Sequence, residues 1–265
     1  MKKRYRLFSV GLALAMVVAA CGGTSDLGAR EVTVGVENAY LPFNYIPIGE
    51  TEGQGWDYDA WTEICEILNC EPVFVESAWP AVIDQVANGE LDTAADGISI
   101  TDERKEIVDY SDAYMTVEQK FIVQLDDDRY SSADDIINSD AIIATQVGTT
   151  NFELAADLVG EARIQAFDQF GLAIQALISG DVDAVIIDDA AGLGYIGENN
   201  EVLKTIDDGL QSDPLGFIFP QGSDLVGPVN EAIKTLKENG TFDVLGRKWF
   251  GPDFAITYDD IEEVG

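Results

Sequence analysis

An internal echo constrains this chain more than any other feature. The run Val82-Ile83-Asp84-Gln85-Val86-Ala87-Asn88-Gly89-Glu90-Leu91-Asp92 is answered, 91 residues later, by Ala173-Ile174-Gln175-Ala176-Leu177-Ile178-Ser179-Gly180-Asp181-Val182-Asp183. Each copy reads as a helix stopped by glycine, then an acid, an apolar residue, an aspartate and a strand. Helices alternating with strands imply largely parallel α/β sheets. Ligands of such sheets sit beyond the carboxyl ends of the strands. The echo carries Gly97 onto Asp188, each at a strand end. Two α/β halves with polar strand ends facing one cleft are therefore expected.

The other elements follow from periodicity and punctuation. Trp61, Ile64, Cys65 and Leu68 recur at three and four residues and predict a helix over 57–68. Strands are expected at 31–36, 72–75, 91–95, 142–145, 182–187 and 215–219, with 120–124 as an extended crossing segment. Pro80 is expected to open a helix, where its missing N–H costs nothing. A turn at 147–151 opens another, 172–178 is a third, and two more close the chain at 224–238 and 242–249.

At 265 residues the chain can build one large domain or two lobes. Its 49 acids against 15 bases give a formal charge of −34, which excludes nucleic acid as a partner. The acids are spread along the whole chain and read as a solvated surface. There is no histidine, so histidine catalysis and histidine-containing metal sites are excluded, and neither metal nor cofactor is expected.

The N-terminus carries Lys2, Lys3, Arg4 and Arg6 ahead of an apolar stretch at 7–18 that is short for a membrane span. Val18-Ala19-Ala20-Cys21 resembles the bacterial lipobox, with Val18 where leucine is usual. That makes 1–20 a signal peptide, Cys21 the lipidated first residue, and 21–30 a tether to the membrane. The alternative is an ordinary secretory signal with an incidental cysteine. Export implies an oxidising compartment. Cys65 falls near a helix end and Cys70 just before a strand, which suits a local disulfide. Two buried thiols are the alternative.

The chemistry concentrates in Ala95-Asp96-Gly97-Ile98-Ser99-Ile100-Thr101-Asp102-Glu103-Arg104. A strand end bends at Gly97, offers the Ser99 hydroxyl, then places Arg104 on a first helical turn. In a chain with few cations, a fixed guanidinium can fork onto a carboxylate; the bland reading is a surface arginine. Thr149 and Thr150 open a helix, where an N–H and a hydroxyl can serve the same carboxylate or simply cap. Asp188 ends a run of Val and Ile, and an acid there is costly without a partner. A ligand ammonium would supply one; a helix N-cap is the alternative role.

Taken in order, Glu37-Asn38-Ala39-Tyr40-Leu41-Pro42-Phe43, Gly55-Trp56-Asp57-Tyr58-Asp59, Gly97 to Arg104, Val147-Gly148-Thr149-Thr150, Asp183 to Asp188 and Lys248-Trp249-Phe250 resemble one family. It is the bacterial extracellular solute-binding proteins of polar amino-acid ABC transporters (family 3), and the likeness spans about residues 31 to 251. The resemblance implies a type II periplasmic binding protein. Lobe 1 is then 31–117 and 216–265, lobe 2 is 118–215, and two hinge strands join them. It implies an extracytoplasmic monomer, not an enzyme, that closes on an L-amino acid and delivers it to an ABC transporter permease. Gly97 and Ser99 match positions that hold the ligand ammonium. Tyr40 and Trp79 match positions that pack on its side chain, and Phe43 is a further candidate; local core is the alternative for all three. Glu37 and Asp57 match positions that carry acids in relatives binding lysine, arginine, ornithine or histidine. Asp96 is an acid where relatives often have a small residue. A basic and a neutral polar ligand both remain open. So does an enzyme on the same scaffold, such as an arogenate or cyclohexadienyl dehydratase, with Glu37, Asp57 or Asp96 as its acid. A sensor's ligand-binding domain acting through a separate partner is a third reading.

Overall fold

The structure, a computed structural model, describes residues 25–251. The signal segment, Cys21 and residues 252–265 lie outside them. Among the described residues no helix is long and apolar enough to cross a membrane.

The chain forms two sheet-containing lobes. The first sheet runs in the order Cys70–Glu76, Arg30–Val36, Thr93–Ala94, Ile218–Pro220, Val108–Tyr110. Its first three strands are parallel, and Ile218–Pro220 runs against both its neighbours. Val32, Val34 and Val36 alternate along Arg30–Val36 and are all fully buried, as a period of two requires. Helices cover both faces, which is where parallel strands are found.

The second sheet runs in the order Leu203–Thr205, Met115–Gln124, Ala184–Asp188, Ile143–Gln146, Ile164–Phe167. The ten-residue strand Met115–Gln124 leaves the first lobe, and its first half pairs with Gln211–Leu215, which leads back. These are the two crossing strands.

Both copies of the echo fold as read. The helices Ala81–Ala87 and Phe170–Ser179 are each followed by a glycine of positive φ, Gly89 at 71° and Gly180 at 77°. Trp56–Leu68 begins one residue before its predicted start, with Trp61, Ile64, Cys65 and Leu68 on the buried face. Cys65 and Cys70 form a disulfide across a Cα–Cα distance of 4.6 Å, tying this helix to the strand that follows.

Some boundaries differ from the sequence reading. The strand expected at 215–219 is two strands in different sheets, because the chain changes lobe at Gly216-Phe217. Gly216 passes close to Ile100 and Tyr110, where an added Cβ would meet both at 3.0 Å. Pro80 is the residue before the first helical turn rather than its first member. The strand at 91–95 narrows to Thr93–Ala94.

Tyr114 and Phe217, one from each crossing, stack at 4.4 Å between ring centroids, and Trp56 stacks on Tyr114 at 4.8 Å. An aromatic core thus sits directly beneath the passage from lobe to lobe.

Candidate ligand-binding site

The strand ends and helix starts of the two lobes face each other across a cavity of about 320 Å³ (counting space open to solvent). The first lobe lines it with Glu37, Tyr40, Trp79, Asp96, Gly97, Ser99 and Arg104. The second contributes Gln146, Thr149, Thr150, Asn151, Phe170 and Asp188. Phe43 and Asp57, also singled out in the sequence, stand one layer behind. Phe43 stacks on Tyr40 at 5.3 Å, and Asp57 is fully buried under Asn44.

Arg104 stands in the short helix Asp102–Lys105, capped by the Thr101 hydroxyl, which accepts from the Arg104 amide. Its Nη1 donates to the Ser99 carbonyl at 3.1 Å. Its Nη2 reaches across the cleft to the Gly148 carbonyl at 3.3 Å. The guanidinium carbon lies 5.1 Å from the Trp79 ring centroid, a cation–π contact that further fixes the plane. The fork is therefore held at its edge, between the two lobes.

Thr149 is the N-cap of the helix Thr150–Val159: its hydroxyl accepts from the Phe152 amide and donates to the Gln146 carbonyl at 2.8 Å. The capping role read from the sequence is the one its side chain plays. Thr150 Oγ1 lies 3.2 Å from Ser99 Oγ, where either hydroxyl can donate, and accepts from Gln119 Nε2 at 3.2 Å. The first amides of this helix are those its own ladder leaves without acceptors, and they carry the positive end of the helix dipole.

Asp188 ends the strand Ala184–Asp188 and is 3% exposed. Asn151 Nδ2 donates to its Oδ1 at 3.0 Å and the Tyr40 hydroxyl to its Oδ2 at 2.9 Å. Burial nevertheless pushes its pKa up to about 6. It makes no side-chain cap bond to the helix that follows it. Gly97 has φ of 56°, and a Cβ there would come within 2.7 Å of Tyr40 Cε1. A glycine is needed both for the backbone conformation and to let Tyr40 lie against the strand end.

The wall around Tyr40 is acidic. Burial, with Asp96 nearby, pushes Glu37 up to about 8, and burial pushes Asp96 up to about 7. Asp57 is also raised by its burial. Amides, not cations, serve these groups. Asn44 Nδ2 donates to Asp57 Oδ2 at 2.9 Å and to Asp96 Oδ1 at 2.8 Å. Gln146 Nε2 donates across the cleft to Glu37 Oε1 at 2.7 Å. Asp57 Oδ1 and Asp96 Oδ2 are buried without a hydrogen-bond partner among the described residues. Such a wall favours a cation, which would let the carboxyls ionise. Among the described residues no group of three or more Cys, Asp or Glu is arranged to hold a metal ion.

Four residues here escaped the sequence reading. Gln146 and Asn151 flank the two threonines as ordinary polar residues. Asn44 sits in an aromatic loop and has no distinguishing spacing. Phe170 was discoverable: the 91-residue echo maps it onto Trp79, and both line the cavity, Trp79 just before its helix and Phe170 as the first residue of its own.

Residues 32–252 match the family described as bacterial extracellular solute-binding proteins, family 3. The chain is 28% identical to the L-cystine-binding protein TcyA of Bacillus subtilis, over 92% of this chain and 98% of that one. It is 27% identical to the ABC transporter glutamine-binding protein GlnH of the same organism, over 96% and 100%. Among solved structures, the arginine-, lysine-, histidine-binding protein ArtJ from Geobacillus stearothermophilus superposes with a TM-score of 0.77 at 32% identity, covering 84% of this chain and 97% of that one.

Proposed function

This chain belongs to the bacterial extracellular solute-binding proteins of family 3, and from that premise we propose that it captures an L-amino acid outside the cell and hands it to an ABC transporter permease. The observation that carries the reading is the polarity of the cleft. Arg104 and the positive helix start at Thr150 line it together with the buried acid Asp188. A zwitterion presents opposite charges at a fixed short spacing, and this cleft presents their complements. Arg104 forks onto the α-carboxylate with the Thr150 amide and hydroxyl. Asp188, Ser99 and the Gly97 carbonyl take the α-ammonium. Tyr40, Trp79 and Phe170 pack on the side chain, with Phe43 supporting Tyr40 from behind.

The side chain is cationic, as in arginine or lysine. Glu37 and Asp96 form a buried acidic wall served only by neutral amides, and a guanidinium or ammonium meets that wall's need. Asp57 acts through Asn44. Because groups from both lobes touch the ligand, binding favours closure about the crossing strands. The lobes are 31–117 with 216–265, and 118–215; among the described residues sheet membership supports this division, with Met115–Gln124 crossing from one lobe to the other. Residues 1–20 are a signal peptide, and Cys21 anchors a monomer to the membrane through the tether at 21–30.

Calorimetry tests the reading on protein unfolded and refolded to strip carried-over ligand. We expect micromolar or tighter binding of one or two basic L-amino acids from a full panel. No binding by any member overturns the amino-acid reading; binding confined to neutral members overturns the basic one. Glu37, with its pKa raised into the neutral range, gives one reason to consider a dehydratase acid. Turnover of arogenate or prephenate would establish that alternative; we expect none.

A further inference from the structure

We propose that Gln119 and Asp213 are positioning residues that aim the Thr150 hydroxyl at the ligand carboxylate, and so set the preference for an acid over its amide. This rests on the reading of the cleft as an amino-acid site.

Gln119 lies on the long crossing strand and is fully buried. In register it faces Asp188 on one side and Gln211 on the other. It therefore stands where the cleft, the second sheet and the returning strand meet. Its Nε2 lies 2.7 Å from Asp213 Oδ2 and 3.2 Å from Thr150 Oγ1. Asp213 is 8% exposed, and its Oδ1 accepts from Gln211 Nε2 at 2.8 Å.

The inventory of hydrogens fixes what this chain of contacts does. An ionised carboxylate only accepts, so Asp213 selects the NH2 face of the Gln119 amide and turns its carbonyl away. The second amide hydrogen then falls to Thr150 Oγ1. A hydroxyl has a single hydrogen, and an oxygen already accepting from Gln119 is left to donate it. Ser99 Oγ, 3.2 Å away on the opposite lobe, shows that the Thr150 oxygen faces the cleft. With the amide flipped, the Gln119 carbonyl would take that hydrogen and Thr150 would offer the cleft lone pairs only. The observed orientation leaves Gln119 Oε1 buried without a hydrogen-bond partner. The flip would give this oxygen the Thr150 hydroxyl as a donor but would face it to the Asp213 carboxylate. The pull of Asp213 explains it.

The test is a ratio, which a general loss of stability would not move. Binding of L-arginine and L-argininamide is measured by calorimetry on wild type, Q119L, T150V, D213N and the Q119L/T150V double variant. If another panel member binds more tightly, that amino acid and its α-carboxamide replace the pair. Wild type is expected to prefer the acid. Q119L and T150V should each shrink that preference by about tenfold, the scale of one hydrogen bond to a charged group. The double variant should do no worse than either single change, because both remove the same donor. D213N should shrink the preference in part. Should Q119L fail to fold, Q119M carries the same expectation and D213N the partial one.

The inference is overturned if T150V lowers the ratio and Q119L leaves it at the wild-type value. It also fails if the two losses multiply in the double variant, or if wild type does not discriminate. Wild type binding no panel member is a separate result that defeats the functional reading itself.

Discussion

Tyr40 and Asp188, from opposite lobes, meet across the cleft through a hydrogen bond of 2.9 Å from the phenol to Oδ2. The same ring stacks on Phe43 at 5.3 Å and on Phe170 at 5.5 Å. Tyr40 thus joins the lobes through an apolar face and a polar tip, and two substitutions separate the roles. Y40F keeps the rings and removes the donor. We expect its affinity for ligand to fall about tenfold, with the melting temperature nearly unchanged. Y40A also empties a buried aromatic site, which costs about 3–5 kcal/mol of stability. Calorimetry and thermal melts on the two variants check the split.

Arg104 gives the sharpest loss. Its two terminal nitrogens donate to the Ser99 and Gly148 carbonyls, which sets the plane of the fork. R104A should weaken binding by roughly a hundredfold or more, the scale of two charged hydrogen bonds. R104K keeps the charge without the planar fork and should recover only part of that. Titration calorimetry distinguishes them; an R104A protein of wild-type affinity would refute the carboxylate role.

A third expectation concerns pH. Burial raises Glu37 to about 8, Asp96 to about 7 and Asp188 to about 6. A carboxyl raised on folding stabilises the fold while it keeps its proton, and that contribution is lost as pH climbs through the raised value. The ligand-free protein should therefore melt progressively lower from about pH 5 to about pH 8. A cationic ligand favours the ionised carboxyls, so the gain in melting temperature from L-arginine should grow over the same window. E37Q and D96N should each flatten both slopes. Scanning calorimetry across the window, with and without L-arginine, reads all of this. A ligand-free protein that gains stability toward pH 8 would contradict it.

The disulfide closes a short loop, with five residues of separation between Cys65 and Cys70. Chain entropy then gives it a modest share of stability, about 2 kcal/mol. A C65S/C70S variant should fold, bind ligand with unchanged affinity and unfold at lower denaturant. Urea titration with and without reductant measures the difference.

The parts of this site legible in the sequence share one property: each is announced by backbone punctuation. Gly97, the capping threonine pair and the acid ending an apolar run all mark places where a regular element stops, and such stops are where ligands of parallel sheets sit. Arg104 was readable because cations are scarce in this chain. Gln146, Asn151 and Asn44 have no such marker, since an amide costs little anywhere on a surface and its partners come from distant segments. Asn44 meets Asp57 and Asp96 through three separate stretches of chain, a coincidence that spacing cannot encode. The split at Gly216 escaped for a related reason. Leu215 and Ile218 are both apolar and buried, and the pattern does not say that they serve different sheets.

The way the strands are dealt between the sheets also orders the assembly of the molecule. Every strand of the second sheet lies between Met115 and Leu215, an uninterrupted stretch that can collapse on its own contacts. The first sheet has no such independence. Ile218–Pro220 is wedged between Thr93–Ala94 and Val108–Tyr110, so the sheet keeps a gap at its middle until the chain has passed through the entire other lobe and returned. Closing that gap means closing a loop of roughly a hundred residues, and gathering its ends is far cheaper once the loop has condensed. An exported chain that emerges amino end first would thus complete its second lobe before its first, and the cleft would be the last part of the molecule to come into being.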